Sequence, residues 1–117
     1  MKRRQLTKAQ RREIYQKTNG HCAYCGCELE YERMAVDHVI PLAHGGADEM
    51  DNMLPSCRSC NHYKDTRTLE HFREAVEKFP AVLKRDSVTY RNAVRFGLVK
   101  PNPHRVTFYF EKQEATK

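Results

Sequence analysis

Four cysteines form two C-x-x-C pairs, a spacing that lets two thiolates bind the same metal ion. The pairs are Cys22/Cys25 and Cys57/Cys60, and a loop of domain-like length separates them. Because four thiolates close a tetrahedral zinc site and exclude water, we expect a structural zinc ion that joins the two ends of this segment. Cys27 extends the first pair to C-x-x-C-x-C; it could replace a neighbouring ligand, but we expect a free, partly buried thiol.

An aspartate and a histidine stand side by side in an apolar stretch, residues 34–40, that reads as a buried strand. Burying Asp37 and His38 without partners would be unfavourable, so their presence needs a reason. A carboxylate can bind a hard divalent cation, and a neutral imidazole can take a proton from water. Adjacent strand residues point to opposite faces, so both serve one site only where the strand bends, as it can before Pro41. The alternative is a core histidine bonded to a backbone carbonyl.

Further polar side chains lie close to this pair in the sequence. Asn61 and Lys64 are three residues apart and share one face of a predicted helix. Asn61 could give a carbonyl oxygen to the same cation, and Lys64 could hold a phosphate. His62 is a further candidate as metal ligand or substrate contact, and Asn52 either fixes the imidazole by a hydrogen bond or only shapes a turn. These residue types together indicate metal-assisted chemistry on a phosphate.

The elements around these residues must bring them together. The capping-box pair Thr7 and Gln10 opens a helix that Asn19-Gly20 ends, and this helix leads into the first cysteine pair. A strand, a loop containing Gly45-Gly46, a second strand and a short helix follow. We expect the four regular elements at residues 7–18, 34–40, 50–54 and 58–64.

The C-terminal third is predicted to support this core. Apolar residues at helical spacing predict a helix at 69–78 that Pro80 stops. Ser87 can start another helix that ends near Gly97, with Leu98 facing inward.

Composition limits the size of the core. With 117 residues, 31% of them charged, no Trp and a mean hydropathy of −0.84, the chain is expected to form one domain that needs a staple such as zinc. Residues 105–111 alternate between polar and apolar, which predicts a strand that either joins the core sheet or pairs across a dimer. The predicted divisions are a basic arm at 1–6, a zinc-stapled core at 7–67, C-terminal helices and a strand at 68–112, and a disordered tail at 113–117.

Charge is unevenly distributed along the chain, whose net charge is +6. Residues 1–12 contain six basic side chains and no acid, whereas residues 28–51 contain seven acids and one arginine. A basic frame around an acidic, metal-prone centre fits a polyanionic substrate handled through a cation; a solvated basic surface is the alternative. No stretch looks like a membrane span or secretion signal, so we expect a cytoplasmic protein, or a phage-encoded one acting in the host cytoplasm.

These motifs together resemble the HNH endonuclease family, in the compact zinc-containing form found in bacterial and phage proteins. The likeness covers residues 14–69 and implies an α+β chain with a small ββα-metal (His-Me finger) nuclease fold, a four-cysteine zinc-ribbon staple and peripheral helices. The matching strings are C-x-x-C at 22–25, D-H-x-x-P at 37–41, Gly45-Gly46, Asp51-Asn52-Met53-Leu54 and C-x-x-C-N-x-x-K at 57–64.

The resemblance also implies a role for each polar residue. Asp37 and Asn61 would hold a catalytic divalent cation, His38 would be the general base, and Asn52 would orient the catalytic loop. Many family members have a third histidine where this chain has Asn61, so it resembles the HNN variant. An amide oxygen is a hard ligand, which favours Mg²⁺ or Mn²⁺. The implied reaction is hydrolysis of a DNA phosphodiester by water that His38 activates, with Lys64 or a nearby arginine at the phosphate.

Two other functions stay open at this point. A zinc-ribbon module that binds nucleic acid without cleaving it would keep the cysteines and the basic arm, but it has no use for Asp37, His38 and Asn61 together. An adaptor domain in phage packaging or other nucleic-acid machinery is the second. Because no recognition helix stands out, we expect backbone contacts to dominate DNA binding, by a monomer or a homodimer.

Overall fold

The computed structural model describes residues 5–115, which form a two-stranded antiparallel hairpin and six α-helices. The strands are β1 (Ala35–His38) and β2 (Met53–Ser56), paired so that His38 lies opposite Met53. The chain is therefore α+β, as predicted, and α1, β1 and α2 lie where their sequence patterns placed them, whereas β2 begins three residues later than predicted because Met50–Asn52 form a 3₁₀ turn. The helices are α1 (Lys8–Gln16), α2 (Arg58–Lys64), α3 (Leu69–Glu77), α4 (Phe79–Asp86), α5 (Val88–Arg95) and α6 (Tyr109–Ala115).

The described chain divides into two compact units. The first contains the chain up to Leu69 and again from Thr107, and the second is Glu70–Val106. The hairpin, the five cysteines and every polar residue predicted for the site lie in the first unit. Most of the predicted basic arm, residues 1–4, lies outside the described residues. Within residues 5–115, no helix combines the length and the apolar character that crossing a membrane requires.

Helix α1 begins with the predicted capping box. The Thr7 hydroxyl accepts a hydrogen bond from the Gln10 amide at 3.1 Å, and the Gln10 side chain accepts one from the Thr7 amide at 2.9 Å. At the other end, the Lys17 ammonium donates to the carbonyls of Met50 and Met53, and its partial burial lowers the pKa of Lys17. The helix is thereby fastened to the start of β2.

The loop between the strands depends on its two glycines. Gly45 has a φ of 84° and follows a 3₁₀ turn, Leu42–His44. A Cβ on Gly46 would lie 1.8 Å from the Ile40 carbonyl oxygen and 3.0 Å from Asn52 Nδ2. Any side chain at Gly46 would therefore push apart the loop that follows β1.

The second unit departs from the prediction at Pro80. This proline lies in the first turn of α4, where a missing amide hydrogen is tolerated, so it helps to begin a helix that the sequence pattern did not reveal. Ser87 begins α5 as predicted, its hydroxyl accepting from the Tyr90 amide at 3.0 Å. Leu98, predicted to face inward, is 81% exposed.

Residues 105–111 do not form the predicted strand: the chain is irregular up to Phe108, and α6 follows. Phe108 is buried with its ring edge-on to Tyr24, 5.3 Å between centroids, and the next two amides donate to the carbonyls of Tyr24 and Ala23 at 3.1 and 2.9 Å. Alternation of polar and apolar residues over a few positions is compatible with a short irregular segment that buries one aromatic ring, as well as with a strand. The predicted strand, with its pairing in the sheet or across a dimer, is wrong, and α6 replaces much of the disorder predicted from Gln113.

Candidate functional site

A cleft of about 270 Å³ lies beside β1 in the first unit. Asp37 and His38 of β1 and Asn61 of α2 all line it, so the structure brings together three residues that the sequence predicted to act together. Although Asp37 and His38 are neighbours in a strand, both reach this cavity. The other lining residues are Val36, Pro41, Leu42, Ala43, Asp65 and Thr66.

The imidazole of His38 is held by an aspartate that the sequence did not single out. His38 Nε2 lies 2.8 Å from Asp48 Oδ1, and the two side chains are only 8% and 13% exposed. Because an ionised carboxylate can only accept, Nε2 carries the proton, and the neutral form of the imidazole has its lone pair on Nδ1. Asp48 thus sets the tautomer of His38. It escaped notice because it is one acid among several in the 28–51 segment.

Asn52 stabilises the loop after β1. The hydrogen bonds of its side chain go to the backbone of this loop and not to the imidazole of His38. Its Oδ1 accepts from the Ile40 amide at 2.9 Å, and its Nδ2 donates to the carbonyls of Ile40 and Ala47, both at 2.9 Å. Its own carbonyl accepts from the Val39 amide at 2.9 Å. Asn52 therefore fixes the two ends of the turn that lies between His38 and Asp48.

Lys64 is fully buried, which corrects the expectation that it holds a phosphate. Its Nζ lies 3.0 Å from Asp37 Oδ2 and donates to the His38 carbonyl at 3.0 Å. The Tyr24 hydroxyl donates to the same carboxylate oxygen, and burial, followed by the charge of Asp37, raises the pKa of Tyr24. The phenol stays neutral and remains a donor. Lys64 lies on the side of α2 that faces β1, so its charge balances Asp37 in the interior.

Two further residues near the cleft differ from the prediction. His62 is exposed, its ring packs edge-on to Tyr63 with 5.8 Å between centroids, and it is not among the described residues that line the cleft. Asp65 does line the cleft, with φ 49° and ψ −122°, a backbone conformation that favours glycine. The sequence gave no reason to select Asp65.

The cysteine cluster joins the loop after α1 to the start of α2. The sulfurs of Cys22, Cys25, Cys27 and Cys57 all lie within 4.8 Å of one another, and the Cys25 and Cys57 sulfurs are 3.9 Å apart. Tetrahedral zinc with bonds of about 2.3 Å requires sulfurs about 3.8 Å apart, so these residues fit a structural zinc ion.

Cys27 belongs to this cluster, whereas we expected it to stand apart as a free thiol. The Cys22 amide donates to the Cys27 carbonyl at 2.8 Å, and the tight turn places Gly26 at a φ of 81°, which returns Cys27 to the other sulfurs. Cys60, predicted as the fourth ligand, shares a hydrogen bond with Cys22 that lowers the pKa of Cys22 to about 4 and raises the pKa of Cys60. Five thiols therefore gather at a site that needs four.

Comparison with known proteins agrees with this arrangement. The family model described as HNH endonuclease matches residues 22–67. The chain is 33% identical over 55 residues to the CRISPR-associated endonuclease Cas9 of Corynebacterium diphtheriae, covering 46% of this chain and 5% of that protein. It is 37% identical over 59 residues to the type IV methyl-directed restriction enzyme EcoKMcrA of Escherichia coli, covering 43% and 21%. The chain thus spans only a small part of either relative.

Structural comparison gives the same result for the fold. The crystal structure of the type II-C Cas9 enzyme from Actinomyces naeslundii matches 64% of this chain and 9% of its own, with a TM-score of 0.54 at 22% identity. The hairpin, the helices and the four-sulfur cluster of this chain agree with the α+β fold that the sequence motifs predicted. Residues 22–67, less than half of the chain, are thus assigned to the HNH endonuclease family.

Proposed function

We propose that this chain is a metal-dependent DNA endonuclease that hydrolyses phosphodiester bonds. The observation that carries the proposal is the His38–Asp48 pair, 2.8 Å apart, at a cleft that Asp37 and Asn61 also line. A module that only binds nucleic acid would gain nothing from burying these polar groups, and burial of polar groups is costly without a compensating role. DNA as the substrate follows from membership of the family.

His38 is the general base in this proposal. With its proton on Nε2 and bonded to Asp48, the imidazole offers the Nδ1 lone pair to a water molecule in the cleft. Asp48 then stabilises the imidazolium that forms, and it acts through His38 without touching the substrate. Asn52 keeps the intervening turn in place, so that His38 and Asp48 stay in contact during the reaction.

Asp37 and Asn61 would hold the catalytic cation. A carboxylate and an amide oxygen are hard donors, so the set fits Mg²⁺ or Mn²⁺. Such an ion, when bound, stabilises the negative charge that develops on the phosphate. Tyr24 and Lys64 both contact Oδ2 of Asp37, which orients the carboxylate that would hold the ion. Lys64 therefore positions a ligand and does not bind the substrate.

The direct test is cleavage of supercoiled plasmid, in methylated and unmethylated form, with Mg²⁺ or Mn²⁺. His38→Ala should lower the cleavage rate by about 10²- to 10⁴-fold, because it removes the general base. His62→Ala is the matched control, since this exposed histidine does not line the described cleft, and it should cleave like the wild type. Both variants should stay folded and keep their zinc, so that a loss of cleavage in His38→Ala reports on the missing base. DNA binding without cleavage by the wild type, on either plasmid, would favour the non-catalytic module or adaptor.

Asp48 gives a second, sharper test. Asp48→Ala removes the acceptor for His38 Nε2 and should lower kcat about 10- to 100-fold with little change in KM. Asp48→Asn keeps an oxygen acceptor at the same place, so it should recover part of the lost kcat. Equal losses in the two variants, accompanied by lower unfolding temperatures, would mean that Asp48 only stabilises the loop.

A further inference from the structure

The C-terminal part of the second unit is strongly basic. Residues 78–105 contain seven Lys or Arg side chains and a single acid, Asp86. Arg85 binds this acid through two hydrogen bonds of 2.7 and 2.8 Å, which neutralises it. Six positive charges remain in this segment. One of them, Arg105, contacts Glu70, which lies outside the segment, at 3.6 Å.

Three of these residues are among those that line one groove of about 420 Å³, whose surface is mainly apolar. Lys84 comes from α4, and Arg91 and Arg95, one helical turn apart, come from α5. No acidic residue is among the described residues that line the groove. The rest of its lining is aromatic or apolar, and consists of Pro80, Ala81, Tyr90, Val94, Pro101 and Pro103.

The groove is built on a fixed corner of the backbone. Arg91 Nη1 donates to the carbonyls of Lys84 and Arg85 at 2.6 and 3.1 Å, so its guanidinium caps the C-terminal end of α4. Ser87 caps the start of α5 at the same corner. Like charges held around one concavity repel each other, and the binding of a polyanion relieves this repulsion. A second copy of the chain, with a net charge of +6, matches this groove less well than a polyanion does.

We propose that this groove binds the phosphate backbone of duplex DNA, with Lys84 and Arg95 contacting phosphates and the apolar wall facing the sugars. Arg91 has the supporting role of holding the α4–α5 corner. The inference rests on the proposed function for its choice of DNA as the polyanion. It adds a DNA-binding surface in a part of the chain that lies beyond the matched family domain, which ends at residue 67.

The test compares two variants that lose the same charge at different places, in a His38→Ala background that cannot cleave. Lys84→Gln with Arg95→Gln alters the groove, and Lys78→Gln with Arg105→Gln alters exposed cations that do not line it. Binding to a short fluorescent duplex is measured by anisotropy between about 50 and 200 mM salt. The groove variant should bind about tenfold more weakly, with a salt slope lower by about 1.8, and the control should change far less.

Two results would overturn the inference. Equal weakening in both variants would mean that DNA binding depends on diffuse charge, and unchanged binding in the groove variant would mean that DNA does not enter the groove. In the second case, a change in sedimentation of the DNA-free groove variant would assign the groove to contact between copies. The proposed function and this inference can fail independently. If the wild-type chain never cleaves plasmid, the groove variant could still bind DNA more weakly than its parent. If the wild-type chain does cleave plasmid, the groove variant could still bind DNA as tightly as its parent.

Discussion

The two units of this chain differ in where they place their large apolar side chains. In the first, the charged or polar Asp37, His38 and Lys64 are buried and bonded to one another or to fixed partners. In the second, Arg73 is likewise buried and paired with Glu70, but many large apolar side chains lie at the surface. The exposed ones are Phe79, Val82, Leu83, Val88, Phe96, Leu98 and Val99, against only Ile40 and Tyr63 in the described part of the first unit. The first unit therefore holds the polar side chains of the candidate site in fixed positions, and the second exposes an apolar surface.

This difference shows where stability must come from in the first unit. Buried ions weaken a fold unless every partner is in place, and the apolar core that surrounds them is small. It consists mainly of Ile14, Tyr24, Leu29, Met34, Val36, Met53 and Phe108. A metal ion bound by the cysteine cluster would join the two ends of the segment and supply the stability that this core cannot.

Removal of zinc should therefore have the largest effect on the first unit. The purified chain should carry one zinc per molecule by elemental analysis, and chelation should abolish the folded signals of the hairpin in NMR spectra. Structural zinc in small domains contributes about 10–16 kcal/mol of apparent binding free energy, which exceeds the stability of the apo fold. Hairpin signals that survive complete chelation would show that the network around Asp37 stabilises itself.

The five clustered thiols sharpen this prediction. Cys22→Ser should lose the metal, because its sulfur lies in the four-sulfur group and also bonds to Cys60. Cys27→Ser and Cys60→Ser should each retain zinc, since the remaining thiol completes the site, and the double variant should lose it. If Cys60→Ser alone loses zinc as fully as Cys22→Ser does, Cys27 is not a ligand.

Lys64 should contribute the next largest effect. Lys64→Met leaves the buried carboxylate of Asp37 without its positive partner, which typically costs about 3–5 kcal/mol in the free energy of unfolding. Urea denaturation of the zinc-loaded protein measures this loss. Adding Asp37→Asn should restore part of the stability, because the unpaired charge is then absent. Lys112→Met, at an exposed position on α6, is the matched control and should change little.

If Lys64→Met leaves the free energy of unfolding unchanged but weakens DNA binding, Lys64 contacts a phosphate, as the sequence predicted. That outcome would also weaken the comparison between the units, because the buried ions of the first unit would then be less interdependent than their contacts imply.

Local patterns predicted the parts of the fold that depend on neighbouring residues. The capping box of α1, the hairpin, α2 and the gathering of the cysteines are each specified within a few residues, and the structure has them all. The direction of Lys64 was not predictable, because position along a helix does not show which face meets the sheet. Pro80 was taken as a stop because sequence alone does not tell the end of one helix from the first turn of the next.

The path of a loop was the least predictable feature. Asp48 reaches His38 only because the turn held by Asn52 and Gly46 brings residues ten apart into contact. Nothing in composition or spacing distinguishes Asp48 from its acidic neighbours. Residues 105–111 were unpredictable for the same reason. Their conformation depends on the contact of Phe108 with Tyr24, which is distant in sequence, and not on the alternation of polar and apolar side chains.

The smallest effect is expected at the exposed apolar surface of the second unit. Phe96 is 79% exposed and Phe108 of the first unit only 2%, so the same substitution to alanine tests the two environments directly. Phe96→Ala should change the free energy of unfolding by less than about 0.5 kcal/mol, and Phe108→Ala should lower it by about 3–5 kcal/mol. Urea denaturation at several protein concentrations measures both. A large, concentration-dependent loss in Phe96→Ala would mean that another copy covers this surface, and the second unit would then be stabilised by association.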